Sequence, residues 1–111
     1  MLAQKKRLKK ADFEPIFKKG SKKFSNFFNL RFLANQSGYC RFAVIVSNKI
    51  SKKSTERNKI KRQIREILKE NLSNFKQNND IIITVLAPVK GSDFQDIKDN
   101  FVNLAKKSGL L

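Results

Sequence analysis

The sequence predicts one α+β domain with its elements in the order α-β-β-α-β-α. Three observations carry that prediction. Residues 24–34 and 41–47 alternate in the period of a strand, and residues 81–86 form an apolar run interrupted only by Thr84. Residues 54–73 and 93–105 instead repeat apolar side chains at the three- and four-residue spacing of an amphipathic helix. The length, 111 residues, suits a single compact unit spanning 1–111. A hydrophobic content of 40%, with 10 Phe, separates the chain from disordered basic tails, which are poor in aromatics.

The elements follow in order. Residues 1–10 form a basic arm containing Lys5-Lys6-Arg7 and Lys9-Lys10. Asp12 is placed to cap a short helix, with Pro15 in its first turn. Phe13, Ile16 and Phe17 share one face of that helix, and Gly20 is placed to end it. Phe24, Phe28, Leu30, Phe32 and Ala34 can share one face of a strand, and residues 35–38 make a turn. In the strand at 41–47, Phe42, Val44 and Val46 point one way and Ala43 and Ile45 the other. Two apolar faces predict a central strand. Residues 48–54 are a polar loop. Ser54 or Thr55 can cap the next helix, which has Glu56 in its first turn and runs to about Ser73. A buried strand over 80–87 is broken by Pro88 and Gly91. Ser92 or Asp93 opens the last helix, whose apolar face is Phe94, Ile97, Phe101, Val102, Leu104 and Ala105.

Charge narrows the function classes. Lys and Arg number 25 against 9 Asp and Glu, a formal net charge of +16. Such an excess repels itself and favours a partner carrying negative charge, nucleic acid first and an anionic membrane second. Asp93, Asp96 and Asp99 dilute the charge near the C-terminus. One cysteine, Cys40, cannot form an internal disulfide, and with no His it makes no zinc site. The basic N-terminus has no apolar run behind it, and no stretch approaches membrane-spanning length. A cytoplasmic protein without a membrane partner is expected.

The most informative segment is residues 57–66. At roughly 100° per residue, Ile60, Ile64, Ile67, Leu68 and Leu72 gather on one side, and Asn58, Lys61, Arg62, Arg65 and Lys69 on a second. Gln63, Glu66 and Glu70 take the third. A merely solvated helix mixes charge signs around its exposed surface, with pairs such as Arg62–Glu66. Here the signs are segregated, and phosphate binding outweighs solvation. Arg57, Arg62 and Arg65 can grip phosphates bidentately, Lys61 and Lys69 act as point charges, and Asn58 can reach a base edge or a 2′-hydroxyl. Phe24, Phe28, Phe32, Phe42, Phe94 and Phe101 are most simply core. Phe13 and Phe17 lie between Lys9-Lys10 and Lys18-Lys19, where aromatics among cations can stack bases. Spacing alone still puts core packing ahead for them.

Ser47-Asn48-Lys49, then Arg57-Asn58-Lys59-Ile60-Lys61-Arg62, then Arg65-Glu66 resemble the signature of the bacterial ribonuclease P protein family, R-N-R-x-K-R-x-x-R-E after a strand ending in V-S-K-K. Arg7-Leu8, Phe13, Ile16-Phe17 and Gly20 are similar to its N-terminal motif, so the resemblance spans essentially the whole chain. Three positions depart from the pattern. Lys59 stands where Arg is usual, Asn48 where Lys is usual and Ala43 where Gly is usual. The resemblance implies an α+β two-layer sandwich with a left-handed βαβ crossover, where the general rule favours the right-handed one. It implies the protein subunit of an endoribonuclease that removes the 5′ leader of precursor tRNA. Arg57, Asn58, Lys59, Lys61, Arg62 and Arg65 would bind the catalytic RNA, one protein per RNA. Phe13, Phe17 and Lys49 would bind the single-stranded leader in a cleft between the first helix and the sheet. Catalysis would belong to the RNA and to Mg²⁺ held by RNA, with no catalytic or metal-binding residue in the protein.

Three rival readings are weaker. A structural RNA-binding protein of ribosomal type shares the charge and size but not the long motif at its spacing. A protein-only nuclease needs clustered carboxylates or a His base. Asp93, Asp96 and Asp99 are the one local carboxylate cluster, and helix-start electrostatics explains them better. A membrane-active helix needs a more apolar free side than this one has.

Overall fold

The computed structural model describes residues 6–76 and 78–111. Residues 1–5 of the basic arm, Lys5 included, lie outside the described residues. The elements are α1 (Phe13–Lys19), β1 (Ser21–Phe24), β2 (Phe28–Ala34), β3 (Arg41–Ile45), α2 (Ser54–Glu70), β4 (Asn79–Val85) and α3 (Phe94–Lys107). The four strands form one sheet in the order β1-β2-β4-β3. The β1–β2 and β2–β4 pairs are antiparallel, and β3 and β4 pair in parallel through the α2 crossover.

Helices α2 and α3 pack on one face of this sheet, the two layers of the sandwich, and enclose the main core. Phe28, Leu30, Phe42, Ile81, Ile83 and Val85 point into it and meet Ile60, Ile64, Ile67 and Leu68 of α2. From α3 come Ile97, Phe101, Leu104 and Ala105. The rings of Phe28 and Phe101 meet edge-to-face with centroids 5.6 Å apart. The short α1 lies on the opposite face, where Ile16 and Leu8 cover Ile82 beside Leu33, Ala43 and Ile45. That face is only partly roofed, and part of the sheet is left open there.

The structure corrects several expectations. The segment 24–34 is two strands, because Ser25 turns the chain: its Oγ accepts the Phe27 and Phe28 N–H groups at 3.2 Å, and its own N–H donates to the Phe28 carbonyl. The turn resets the alternation. Register pairs Phe24 with Asn29 and Lys22 with Arg31, so Phe24 lies on the α1 face, 71% exposed, and not in the core with Phe28 and Leu30. The strand at 41–47 is an edge strand, not a central one. Its two apolar faces are explained by α2 on one side and Leu8 with α1 on the other, and the N-terminal arm also docks on its rim, where the Leu8 N–H donates to the Phe42 carbonyl at 2.7 Å. The two interior positions belong to β2 and β4.

None of α1, α2 and α3 takes a side-chain cap. The Asp12 carboxylate turns back to accept the Lys9 N–H at 2.8 Å. Lys53 stands at the start of α2, with Ser54 its first helical residue. That helix ends at Glu70, short of Ser73, where the Asn71 side chain donates to the Ile67 carbonyl at 2.9 Å and a 3-10 turn follows. Gly20 does end α1, but with an ordinary φ of −76°. Glycine is required for space instead, because an added Cβ would collide with the Ile16 carbonyl and come within 2.8 Å of the Phe32 carbonyl oxygen.

Candidate nucleic-acid interface

Helix α2 presents its cations as a stripe because its apolar residues must face the sheet. Ile60, Ile64, Ile67 and Leu68 are buried, which turns Asn58, Arg62 and Lys69 to solvent and leaves Lys61 and Arg65 half-buried beside them. Two of the three acids of the same helix, Glu56 and Glu70, are occupied elsewhere. Glu56 lies 3.9 Å from Lys90, and Glu70 lies 2.8 Å from Lys98 on α3. Among the described residues no carboxylate pairs with Lys61, Arg62 or Arg65, and the Arg62–Glu66 pair does not form. Arg57 spends one donor on the Ser51 carbonyl at 2.9 Å, which ties the loop before α2 to its first turn. Lys59 does not share the stripe. It lines a separate cavity of about 310 Å³ with Glu56, Gln63 and Lys90.

Around the β3 edge the stripe meets the N-terminal arm. Arg65, Arg7, Leu8, Phe13 and Val44 line a cavity of about 170 Å³. Burial, and then the neighbouring Arg7 charge, push the Arg65 guanidinium below its ordinary pKa. The Nε of Arg7 is buried without a hydrogen-bond partner. Two guanidinium groups thus stand beside one cavity, and guanidinium donors can pair with an anion that offers several acceptor oxygens.

Phe13 carries this cavity over to the α1 face. Its ring meets Phe17 edge-to-face with centroids 6.2 Å apart. Phe17 is 44% exposed while its neighbour Ile16 is buried, so α1 anchors through Ile16 and leaves Phe17 at the rim. The Arg31 guanidinium sits 5.2 Å from the Phe17 ring centroid and donates to the Phe17 carbonyl at 3.1 Å. Aromatic faces and a cation beside an open sheet can stack bases and hold the phosphates between them. Lys49 is exposed in the turn that follows β3.

Sequence reasoning missed Arg31 and the pairing of Arg7 with Arg65. Arg31 could have been found as a cation on the second face of a strand whose first face is wholly apolar. The Arg7–Arg65 approach has no local signal, since 58 positions separate the two. Other charges are structural. Arg41 grips Asp80 bidentately at 2.9 and 2.7 Å, and Asn35 donates to the same carboxylate at 2.7 Å. The Asp80 bond raises the Arg41 pKa, and Arg41 also lies 3.8 Å from Asp12, so this cation is engaged by the protein's own acids. Among the described residues no three His, Cys, Asp or Glu side chains stand together as a metal site would need, and no helix is long and apolar enough to cross a membrane.

The ribonuclease P family profile matches residues 2–109. The chain belongs to the ribonuclease P protein family. It is similar to the ribonuclease P protein component of Pseudanabaena sp. PCC 6903, 31% identical over 113 residues that cover 100% of this chain and 97% of the relative. Among solved structures it superposes on a mutant RNase P protein from Staphylococcus aureus with a TM-score of 0.90, at 30% identity over 97% of this chain and 92% of the other. The RNase P protein from Thermotoga maritima gives 0.83, at 31% identity over 91% and 96%. The chain is thus a protein subunit of an endoribonuclease of tRNA processing, and membership in this family implies an RNA partner in a ribonucleoprotein.

Proposed function

We propose that this protein clamps the catalytic RNA of ribonuclease P to its substrate, binding the RNA through the α2 stripe and the 5′ leader of precursor tRNA across the open α1 face. The juxtaposition of Arg7 and Arg65 carries the reading. It joins the stripe to the cleft through one anion-seeking cavity, so phosphates of both RNAs can be neutralised by a single continuous surface. Arg62, Arg65, Lys61 and Asn58 contact the RNA subunit, and Arg57 helps while holding its loop. Lys59 contributes less, because it faces the other side of the helix. Phe17 stacks a leader base with Phe13 and Arg31 behind it, and Lys49 meets leader phosphates from the turn after β3.

The hydrolysis itself is assigned to the RNA. Phosphodiester cleavage needs an activated water and a stabilised leaving oxygen. The described residues bring together no carboxylate cluster to hold the metal and no His base, so the Mg²⁺ ions belong with RNA phosphates. What the protein supplies is affinity for precursor over mature tRNA and screening of repulsion between two polyanions. The test is cleavage of precursor tRNA by protein alone, RNA alone and both, across a Mg²⁺ series. Protein alone should leave the precursor intact, and the pair should cut at one position to leave a 5′-phosphate on the mature tRNA. The protein's benefit should be largest at low salt and low Mg²⁺. Site-specific cleavage by RNA-free protein would overturn the proposal.

A further inference from the structure

We propose that Phe24, with Lys22 beside it, forms a second base-stacking subsite for the single-stranded leader, further out on the sheet than Phe17. The inference rests on the leader reading given above and extends it along the strand order. Register puts Phe24 opposite Asn29 and Lys22 opposite Arg31. Arg31 in turn sits opposite Ile82, under the edge of α1. Arg31 and Phe24 are therefore diagonal neighbours on one face, roughly 7–8 Å apart, and Arg31 already holds the Phe17 ring. The two exposed aromatics flank one guanidinium. A strand that stacks a base on Phe17 and runs past Arg31 arrives over Phe24.

The platform is rigid. Ser25 pins the end of β1 to α3 through the Asn100 side chain at 2.7 Å, and Asn100 donates to Asn26 at 3.0 Å. Phe24 thus stands on a fixed backbone while 71% exposed, and among the described residues no ring or cation contact holds its side chain. A large apolar ring kept in water at a fixed position suits an occupant with a flat face. Charge selects which occupant. Lys22 and Lys23 flank Phe24 on the two faces of the edge strand, in a chain of net charge +16. They repel a second copy and oppose edge-to-edge strand pairing, whereas a polyanion with stackable bases is complementary to both features.

The test uses the ribonucleoprotein reconstituted with its RNA and precursor tRNAs whose leaders are lengthened one nucleotide at a time. Wild-type affinity should rise until the leader has crossed the sheet. Phe24→Ala should bind short leaders normally and lose about 5- to 150-fold on the long ones, the effect of one stacked base. Phe24→Tyr should retain the full gain. Phe17→Ala should lose affinity already at short lengths. Melting of the Phe24 variants should match wild type, as expected for an exposed ring. If Phe24→Ala follows wild type at every length while Phe17→Ala does not, the leader reading stands and this subsite is wrong. If neither variant depends on leader length, the cleft reading fails and takes the subsite with it. A shift from dimer to monomer in sedimentation of Phe24→Ala, with unaltered leader dependence, would instead assign the patch to self-association and overturn the proposal.

Discussion

Replacing Phe17 by Ala separates a binding role from a packing role. A wholly buried Phe removes about 200 Å² from water. Phe17 is 44% exposed, so just over half of that area is at stake, or about 2–3 kcal/mol at 25 cal/mol per Å². This is an upper bound, because the unfolded chain already buries part of its apolar surface. A stability loss of about 1–2 kcal/mol follows, roughly 4–8 °C in Tm for a domain of this size. Phe101, at 0% exposure, is the contrasting control: Phe101→Ala should lose about 3–5 kcal/mol. The loss in leader binding, by contrast, is that of one stacked base, about 1–3 kcal/mol. The assay is the affinity of the assembled ribonucleoprotein for precursor and for mature tRNA, measured beside thermal melting of the same variants. Phe17→Ala should collapse the precursor preference at a modest cost in melting. A melting loss as large as that of Phe101→Ala, with the preference intact, would refute the reasoning.

Three further outcomes are expected. Arg62→Ala and Arg65→Ala should each weaken assembly with the RNA and flatten its salt dependence by about 1 in logarithmic slope, with Lys59→Ala weaker in effect; titrations across a salt series check this. Asp80→Ala leaves Arg41 and Asn35 without their shared acceptor at a site where Asp80 is 8% exposed, and denaturant unfolding should show a loss of about 3–5 kcal/mol. Cys40 is buried, and burial raises its thiol pKa. A neutral form favoured by folding gives stability that is present below the ordinary thiol range and declines as pH rises through the folded value. Alkylation of the native protein should accordingly be slow and should accelerate on unfolding.

Periodicity alone exposed much of the fold and of the stripe. The helix over 54–70 and its burial of Ile60, Ile64, Ile67 and Leu68 follow from the spacing of apolar residues, and the cationic side follows by exclusion. The apolar run at 81–86, with Thr84 its one polar residue, reads as a buried strand, because so short and apolar a segment has little to offer to solvent. These are local properties, decided by which side chains avoid water at a fixed repeat. Strand order was not local. Both β3 and β4 are apolar on both sides, and which of them is central depends on whether a helix or the N-terminal arm covers each face. The phase of Phe24 depended on a turn whose hydrogen bonds to Ser25 draw on a residue of α3, 75 positions away. Whether Phe17 is core or rim was likewise open in the spacing, since Ile16 and Phe17 sit side by side on one helical face. Only packing against Ile82 chose Ile16 for burial and left Phe17 exposed beside Arg31. The sequence thus determined the elements and their chemistry, through a water-avoiding repeat that each segment carries within itself. The tertiary structure decided which aromatics and cations stand together, because that proximity comes from strand pairing between segments far apart in the chain.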